Sequence, residues 1–323
     1  MTEANILYGG QAVMEGVMMR GRNFVACAVR RENGAIEITR ETIPQSVYAG
    51  VWSKTPFLRA LPLLWDTLVL GTKMLMWSAN EQAKDENAKA MTAESGHARA
   101  ENENQKSESK NQKPEEGLPQ TAIYGSLAVS LGFALVIFFA LPVVVANFSG
   151  NFGVTPFWNN VLEGVIRLAL FLAYLIAIGR IPEIQRVFMY HGAEHKTIAA
   201  YEGGATLIPS EVQKFPKEHP RCGTGFLLTV VVISILFFIA LGELPLGVRL
   251  LSRILLIPVV AAVSYELIRF SSKHRNIFIF DWLIVRPSLA LQSLTTRQPT
   301  DDMIQVAVAS FQDVKQREDA IAR

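Results

Sequence analysis

Apolar positions in this chain fall into short alternating stretches near the start and long unbroken runs in the second half. Residues 121–146 and 223–241 contain no charged side chain. Uncharged apolar runs of about 20 residues are long enough to cross a hydrocarbon core as helices. Two further segments have apolar centres and charges nearer their ends. Segment 157–179 carries Glu163 and Arg167, four residues apart and able to neutralise each other on one helix face. Segment 247–270 opens with Arg249 and Arg253 and closes with Glu266 and Arg269, long basic side chains that would have to snorkel toward water. We place four membrane helices at 121–146, 157–179, 223–242 and 247–270.

The N-terminal pattern has period two. In "NFVACAVRRENGAIEITRETI" two extended runs flank Asn33-Gly34, a pair suited to a two-residue hairpin turn, and Ile36 and Ile38 alternate with Glu37 and Thr39. "QAVMEGVMM" supplies a third candidate strand. From Thr55 the period changes. Thr55 is a candidate N-cap followed by Pro56, and Arg59, Asp66 and Lys73 recur every seven residues on one stripe of an apolar helix. A helix of this kind, with Trp65 and Trp77, suits the membrane interface, and the alternative is a helix buried against the N-terminal domain. Residues 80–119 are polar, charged and poor in large apolar side chains, the composition of a disordered linker. Near the end, Thr300 precedes Asp301 and Asp302, and Ile304, Val308 and Phe311 share a helical face.

The expected fold is therefore an α-helical polytopic membrane protein with four transmembrane helices and a small N-terminal β-rich cytoplasmic domain. Its expected parts are a β-rich domain over 1–54, an interfacial amphipathic helix over 55–79 and a linker over 80–119. A membrane domain over 120–272, with a cytoplasmic loop at 180–222, and a tail over 273–323 complete the chain.

Charge sets the orientation and excludes some partners. A net charge of +2 argues against nucleic acid. The connections 147–156 and 243–246 hold no lysine or arginine, whereas 180–222 holds Arg180, Arg186, Lys196, Lys214, Lys217 and Arg221. Both termini and that loop are expected in the cytoplasm. Two cysteines, Cys27 and Cys222, offer no disulfide framework, in keeping with a reducing compartment, and "MTEANILYGG" lacks the basic and apolar regions of a signal peptide. The expected partners are the lipid bilayer and, through the cytoplasmic domain, another protein.

Candidate chemistry concentrates in "YHGAEHKTI", an H-x-x-E-H pattern made by His191, Glu194 and His195. Pro182 and Gly203-Gly204 bracket a helix in which both histidines continue an apolar face. Histidines at i and i+4 direct two ring nitrogens at one ion. The same order occurs in inverzincin metalloproteases, where the glutamate is the general base. A third ligand is expected from His219 or Cys222 in "EHPRCGTG", at the mouth of the third membrane helix, or from Glu266 in the fourth. Cys222 with histidines favours zinc, and a two-histidine, one-carboxylate set suits zinc, manganese or iron. Glu15, in the glycine-rich "GGQAVMEGVMMRG", either lines the site or serves a structural role. The bland alternative is a buried cluster in which Glu194 pairs with a neighbouring histidine, Lys196 or Arg221 and no ion binds.

Taken together, "YGGQAVMEGVMMRG", "HGAEHKTI", "EHPRCGTGF" and "LTTRQP" resemble the YqhQ family of bacterial membrane proteins. The resemblance runs nearly end to end apart from the polar linker. It implies a location in the bacterial cytoplasmic (inner) membrane and a metal-dependent enzyme of unassigned activity. His191, Glu194, His195, His219, Arg221, Cys222 and Glu15 fall within those motifs, and Glu266 rests on its position alone. The function expected is a metal-dependent membrane hydrolase, with a peptidase as the form the motif suggests, holding a divalent transition metal, first of all zinc, with Glu194 as general base. The alternative is a non-enzymatic membrane assembly factor or scaffold whose histidine cluster is structural.

Overall fold

The computed structural model describes residues 6–45, 50–51, 55–98, 120–149, 153–274 and 277–322. The N-terminal segment forms a four-stranded antiparallel meander of β1 (Gly9–Val13), β2 (Gly16–Arg20), β3 (Phe24–Arg30) and β4 (Ile36–Thr42). The Asn33-Gly34 turn is wider than the two-residue hairpin expected. Arg30 pairs with Ile36, the Arg31 N–H donates to the Ala35 carbonyl, and Gly34 takes a φ of 87° after a tight turn from Arg31. The Asn33 side chain accepts the Ala35 N–H at 2.9 Å, which holds the longer loop.

Strands β2 and β3 are buried on both faces. Val17, Met19, Ala26 and Ala28 pack against helices from the middle and the end of the chain. Met18, Val25, Cys27 and Val29 pack against Leu70, Met74 and Trp77 of α1 (Ala60–Ala98). Burial of this kind pushes the Cys27 thiol up to about 12, so it stays protonated. Helix α1 continues to Ala98, well past residue 80 where a linker is expected from composition. Its polar part is tied to the sheet: Asp85 accepts from Arg31 at 2.6 Å, Glu81 lies 3.7 Å from the same guanidinium, and Lys89 pairs with Glu32. Residues 99–119 of the expected linker lie outside the described residues.

The apolar second half builds a helical bundle. It comprises α2 (Gln120–Leu135), a π-helical turn (Val136–Ala140), α3 (Leu141–Ser149), α4 (Pro156–Ile178), α6 (Gly223–Ala240), α7 (Leu246–Leu255) and α8 (Ile257–Lys273). Three helical runs, Ala128–Phe148, α4 and α6, are long and apolar enough to cross a membrane. A fourth exists if α7 and α8, bent by 48° at their junction, form one span. Pro258 explains the bend, since it has no N–H to bond the preceding turn. Arg249 and Arg253 do not snorkel. Both turn into the bundle and, with Arg167, surround the single carboxylate of Glu163 at 2.7–2.9 Å.

Between α4 and α6 the chain leaves the bundle as α5 (Pro182–Glu202) and a loop with a short helix at Pro209–Val212. After α8 it returns through α9 (Arg286–Thr295) to α10 (Asp301–Ala322). The tail helix forms where the aspartates and apolar spacing place it, with Ile304, Val308 and Phe311 in one core with the sheet and α5. Near its end Glu318, almost fully buried, receives the N–H groups of Asn23 and Phe24 and so closes the β2–β3 turn.

Candidate functional site

Helix α5 starts on Pro182, which needs no N–H partner, and stops at Gly203. His191 and His195 stand one turn apart on it, their ring centroids 4.4 Å from each other. Each ring is fixed by a backbone carbonyl from a different segment. His191 Nδ1 lies 2.9 Å from the Thr295 carbonyl at the end of α9, and His195 Nδ1 lies 2.6 Å from the Lys217 carbonyl. A carbonyl only accepts, so both Nδ1 atoms carry the proton, and in the neutral rings each Nε2 is left as the acceptor nitrogen.

The free nitrogen of His191 faces Cys222 Sγ at 3.2 Å. Cys222 is the N-cap of α6, where its sulfur also accepts the Thr224 N–H. Ligand atoms of His191, His195 and Cys222 all lie within 4.8 Å of one another. A tetrahedral zinc bound at about 2.0–2.1 Å by nitrogen and 2.3 Å by sulfur needs an N···S separation of about 3.5 Å, close to what is found. Donor type, tautomer and the His191–Cys222 spacing fit such an ion, and hydrogen bonds from metal-bound imidazoles to carbonyls are the usual way ligands are oriented.

Loop 204–222 holds its place through groups with no metal-binding signature. Lys196, buried on α5, donates to the carbonyls of Gln213 and Phe215 at 2.9 and 2.6 Å, and burial lowers its pKa. Gln292 of α9 brackets His219, accepting its N–H at 2.7 Å and donating to its carbonyl at 2.9 Å. These contacts deliver the Lys217 carbonyl to one side of the histidines and Cys222 to the other.

Other expected ligands go elsewhere. The His219 ring is 5.8 Å from that of His195, but its Nε2 faces Glu202 at 3.4 Å. Burial, then the nearby Arg221 charge, lowers the His219 pKa, and Glu202 pairs with Arg221 as well. Glu266 is not brought to the site. It binds Arg59 and the Phe57 N–H, tying the start of α1 to α8. Glu15 serves structure: it pairs with Arg186 and lies 3.3 Å from the Tyr190 hydroxyl, from a two-residue β1–β2 turn with a φ of 50°.

Glu194 turns toward the sheet. Its carboxylate takes the Gly10 N–H of β1, and a Cβ on Gly10 would sit 3.0 Å from Glu194 Cγ and Cδ. The other oxygen, Oε2, is buried with no hydrogen-bond partner. Burial raises its pKa to about 7, opposed by the nearby His191 and the Gly10 N–H. Glu194 is thus a buried acid that takes or gives a proton near neutrality, beside the histidine–cysteine cluster and outside its group of ligand atoms.

The fold and the cluster together describe a helical protein with three or four membrane-capable helices, a mixed α/β body and a His2Cys constellation at the mouth of one of those helices. The chain belongs to the family described as "Protein of unknown function (DUF1385)", matched over residues 55–317. It is 32% identical over 311 residues to the "Uncharacterized protein YqhQ" of Bacillus subtilis (strain 168), covering 95% of this chain and 92% of that protein. No solved structure matches.

Proposed function

We propose that this chain is a membrane-bound, metal-dependent hydrolase of the bacterial cytoplasmic membrane, with its centre open to the cytosol. His191, His195 and Cys222 hold one divalent ion, zinc by preference for two imidazoles and a thiolate, and the fourth position is left for substrate or water. The ion supplies Lewis-acid polarisation. Glu194, the buried carboxyl next to the cluster in sequence, is assigned the role of moving the proton. The observation that carries this reading is the commitment of both Nδ1 atoms to the Thr295 and Lys217 carbonyls, with His191 Nε2 facing the Cys222 thiol and His195 in the same group of ligand atoms.

Orientation follows from charge and packing. The connection carrying α5 is rich in lysine and arginine, while 243–246 has none. Strands β1–β4, α5 and α10 share one core, which supports both termini lying on the side of α5. Helix α1 fits the lipid boundary. Its charged stripe faces protein, with Arg59, Asp66 and Lys73 paired to Glu266, Arg20 and Glu41, and its opposite stripe exposes Leu61, Trp65, Leu68 and Val69. An amphipathic helix whose apolar side faces outward suits acyl chains.

Elemental analysis of gently purified protein tests the centre: about one zinc per chain, lost in His191→Ala and Cys222→Ser, is expected. An empty wild-type protein sinks the proposal. Where metal is present, Glu194→Gln should keep it while a membrane component accumulates in cells that carry only this variant, read by mass spectrometry against wild type. A structural centre is the second reading, favoured by the turn of Glu194 toward Gly10. It predicts that Glu194→Gln leaves cells unchanged while His191→Ala lowers the melting temperature.

A further inference from the structure

Where α4 ends, beside the histidines, a cavity of about 650 Å³ opens. Its walls have two characters. Leu175 and Ile176, in the last turn of the membrane-capable α4, and Leu294 of α9 are apolar. Arg180, Lys217 and Arg297 add three positive charges to the lining. Lys217 is accompanied by Glu218 at 3.2 Å, and Arg297 donates to the Gly179 carbonyl at 2.8 Å. Among the described residues, neither Arg180 nor Arg297 has a carboxylate within ion-pair distance. The cavity therefore joins the end of a span to an uncompensated charge of two.

It also borders the segments that orient the candidate centre. Lys217 lines the cavity and gives its carbonyl to His195, while Thr296 lines it next to Thr295, whose carbonyl holds His191. An occupant would lie against the segments that orient both histidines.

We propose that this cavity binds the anionic head group of a membrane lipid, its phosphate between Arg180 and Arg297 and its chain along Leu175, Ile176 and Leu294. The volume suits a phosphoglycerol head with its first methylenes, and a cavity lined by apolar side chains and two arginines offers the chemistry such a molecule needs. On the hydrolase reading of the preceding section, the substrate class becomes an anionic lipid or a molecule anchored to one. Binding itself requires no metal.

Native mass spectrometry of the full chain in detergent tests this, with phosphatidylglycerol, phosphatidylcholine and sn-glycerol 3-phosphate as probes. Phosphatidylglycerol adducts should exceed phosphatidylcholine adducts by about tenfold, since two unpaired cations each favour an anionic head. Arg180→Gln, at an exposed side chain, and Leu294→Trp, which fills the cavity, should each bring the ratio close to one. A ratio that survives both variants, or equal binding of the two lipids to wild type, overturns the proposal. Displacement of phosphatidylglycerol by equimolar glycerol phosphate also overturns it, since the occupant is then a soluble phosphate ester. Elemental analysis of the same samples reports separately on the metal.

Discussion

Gly192 shows how little space separates the two segments that hold His191. A Cβ there would lie 2.1 Å from the Arg297 carbonyl oxygen, a backbone atom that cannot swing away. The segment Thr296–Pro299 crosses α5 at this point, and the Arg297 N–H bonds the Phe188 carbonyl at 2.9 Å. Gly192→Ala should force the crossing apart, lower stability by about 1–3 kcal/mol and withdraw the Thr295 carbonyl from His191. Thermal unfolding reads the first effect. Faster proteolysis after Arg297 reads the second, and an unshifted melting temperature would show that the crossing has slack. Helical periodicity made His191 and His195 legible, because i,i+4 spacing alone puts two rings on one face. Cys222 was legible from its place at the mouth of an apolar run. The carbonyls of Thr295 and Lys217 were not, because any residue type carries one and only the folded path brings it near. Glu266 is a candidate by position alone, and its partner Arg59 is not legible because it lies 207 residues away in sequence.

Helix α1 shows the same limit at the scale of an element. Composition reads its second half as unable to order itself, and taken alone that segment buries little. Arg31 changes the outcome by offering one guanidinium to both Glu81 and Asp85 from the β3–β4 loop. The Asp85 carboxyl is held below the usual carboxylate range, first by its hydrogen bond from Arg31 and then by the Glu32 N–H, with burial opposing. Its folded pKa is thus lower than its unfolded one. The contribution to docking is complete above the unfolded value of about 3.9 and is lost as pH falls through the folded value. Protection factors around Asp85, which remove the intrinsic pH dependence of exchange, should therefore fall on acidification below about pH 4, while those in β2 and β3 stay high. In Asp85→Asn the lowered protection should already be present at neutral pH, and an acid response unchanged by that substitution would place the titrating group elsewhere.

At the scale of the whole molecule, two bodies with different glue are joined through α5. The mixed body is held by a shared apolar core in which sheet, α5 and α10 interlock. The bundle, by contrast, places charges at its centre. Glu163 lies 1% exposed, with Arg167, Arg249 and Arg253 around it, Asn159 accepting from Arg249, and the Phe238 ring 4.1 Å from Arg253 and 5.0 Å from Arg167. The Phe138 carbonyl, in the π-helical turn, accepts from Arg167 Nε at 3.1 Å. Spacing along the chain suggested a self-contained Glu163–Arg167 pair and two arginines reaching for water. Folding instead makes one carboxylate the shared anion for three arginines on two helices, α4 and α7, and the α7 half of that arrangement depends on tertiary contacts. Removing the anion leaves three guanidiniums buried around a neutral amide, so Glu163→Gln should cost about 3–5 kcal/mol. Arg249→Leu should cost less, because the carboxylate keeps two partners and the lost charge relieves repulsion among the cations. Detergent-resolved melting with protease cleavage in the 241–246 connection measures both, and the mixed body should keep its melting transition in each variant. Equal losses for the two would mean that the arginines act as independent pairs and that Glu163 is not the common anchor of the bundle.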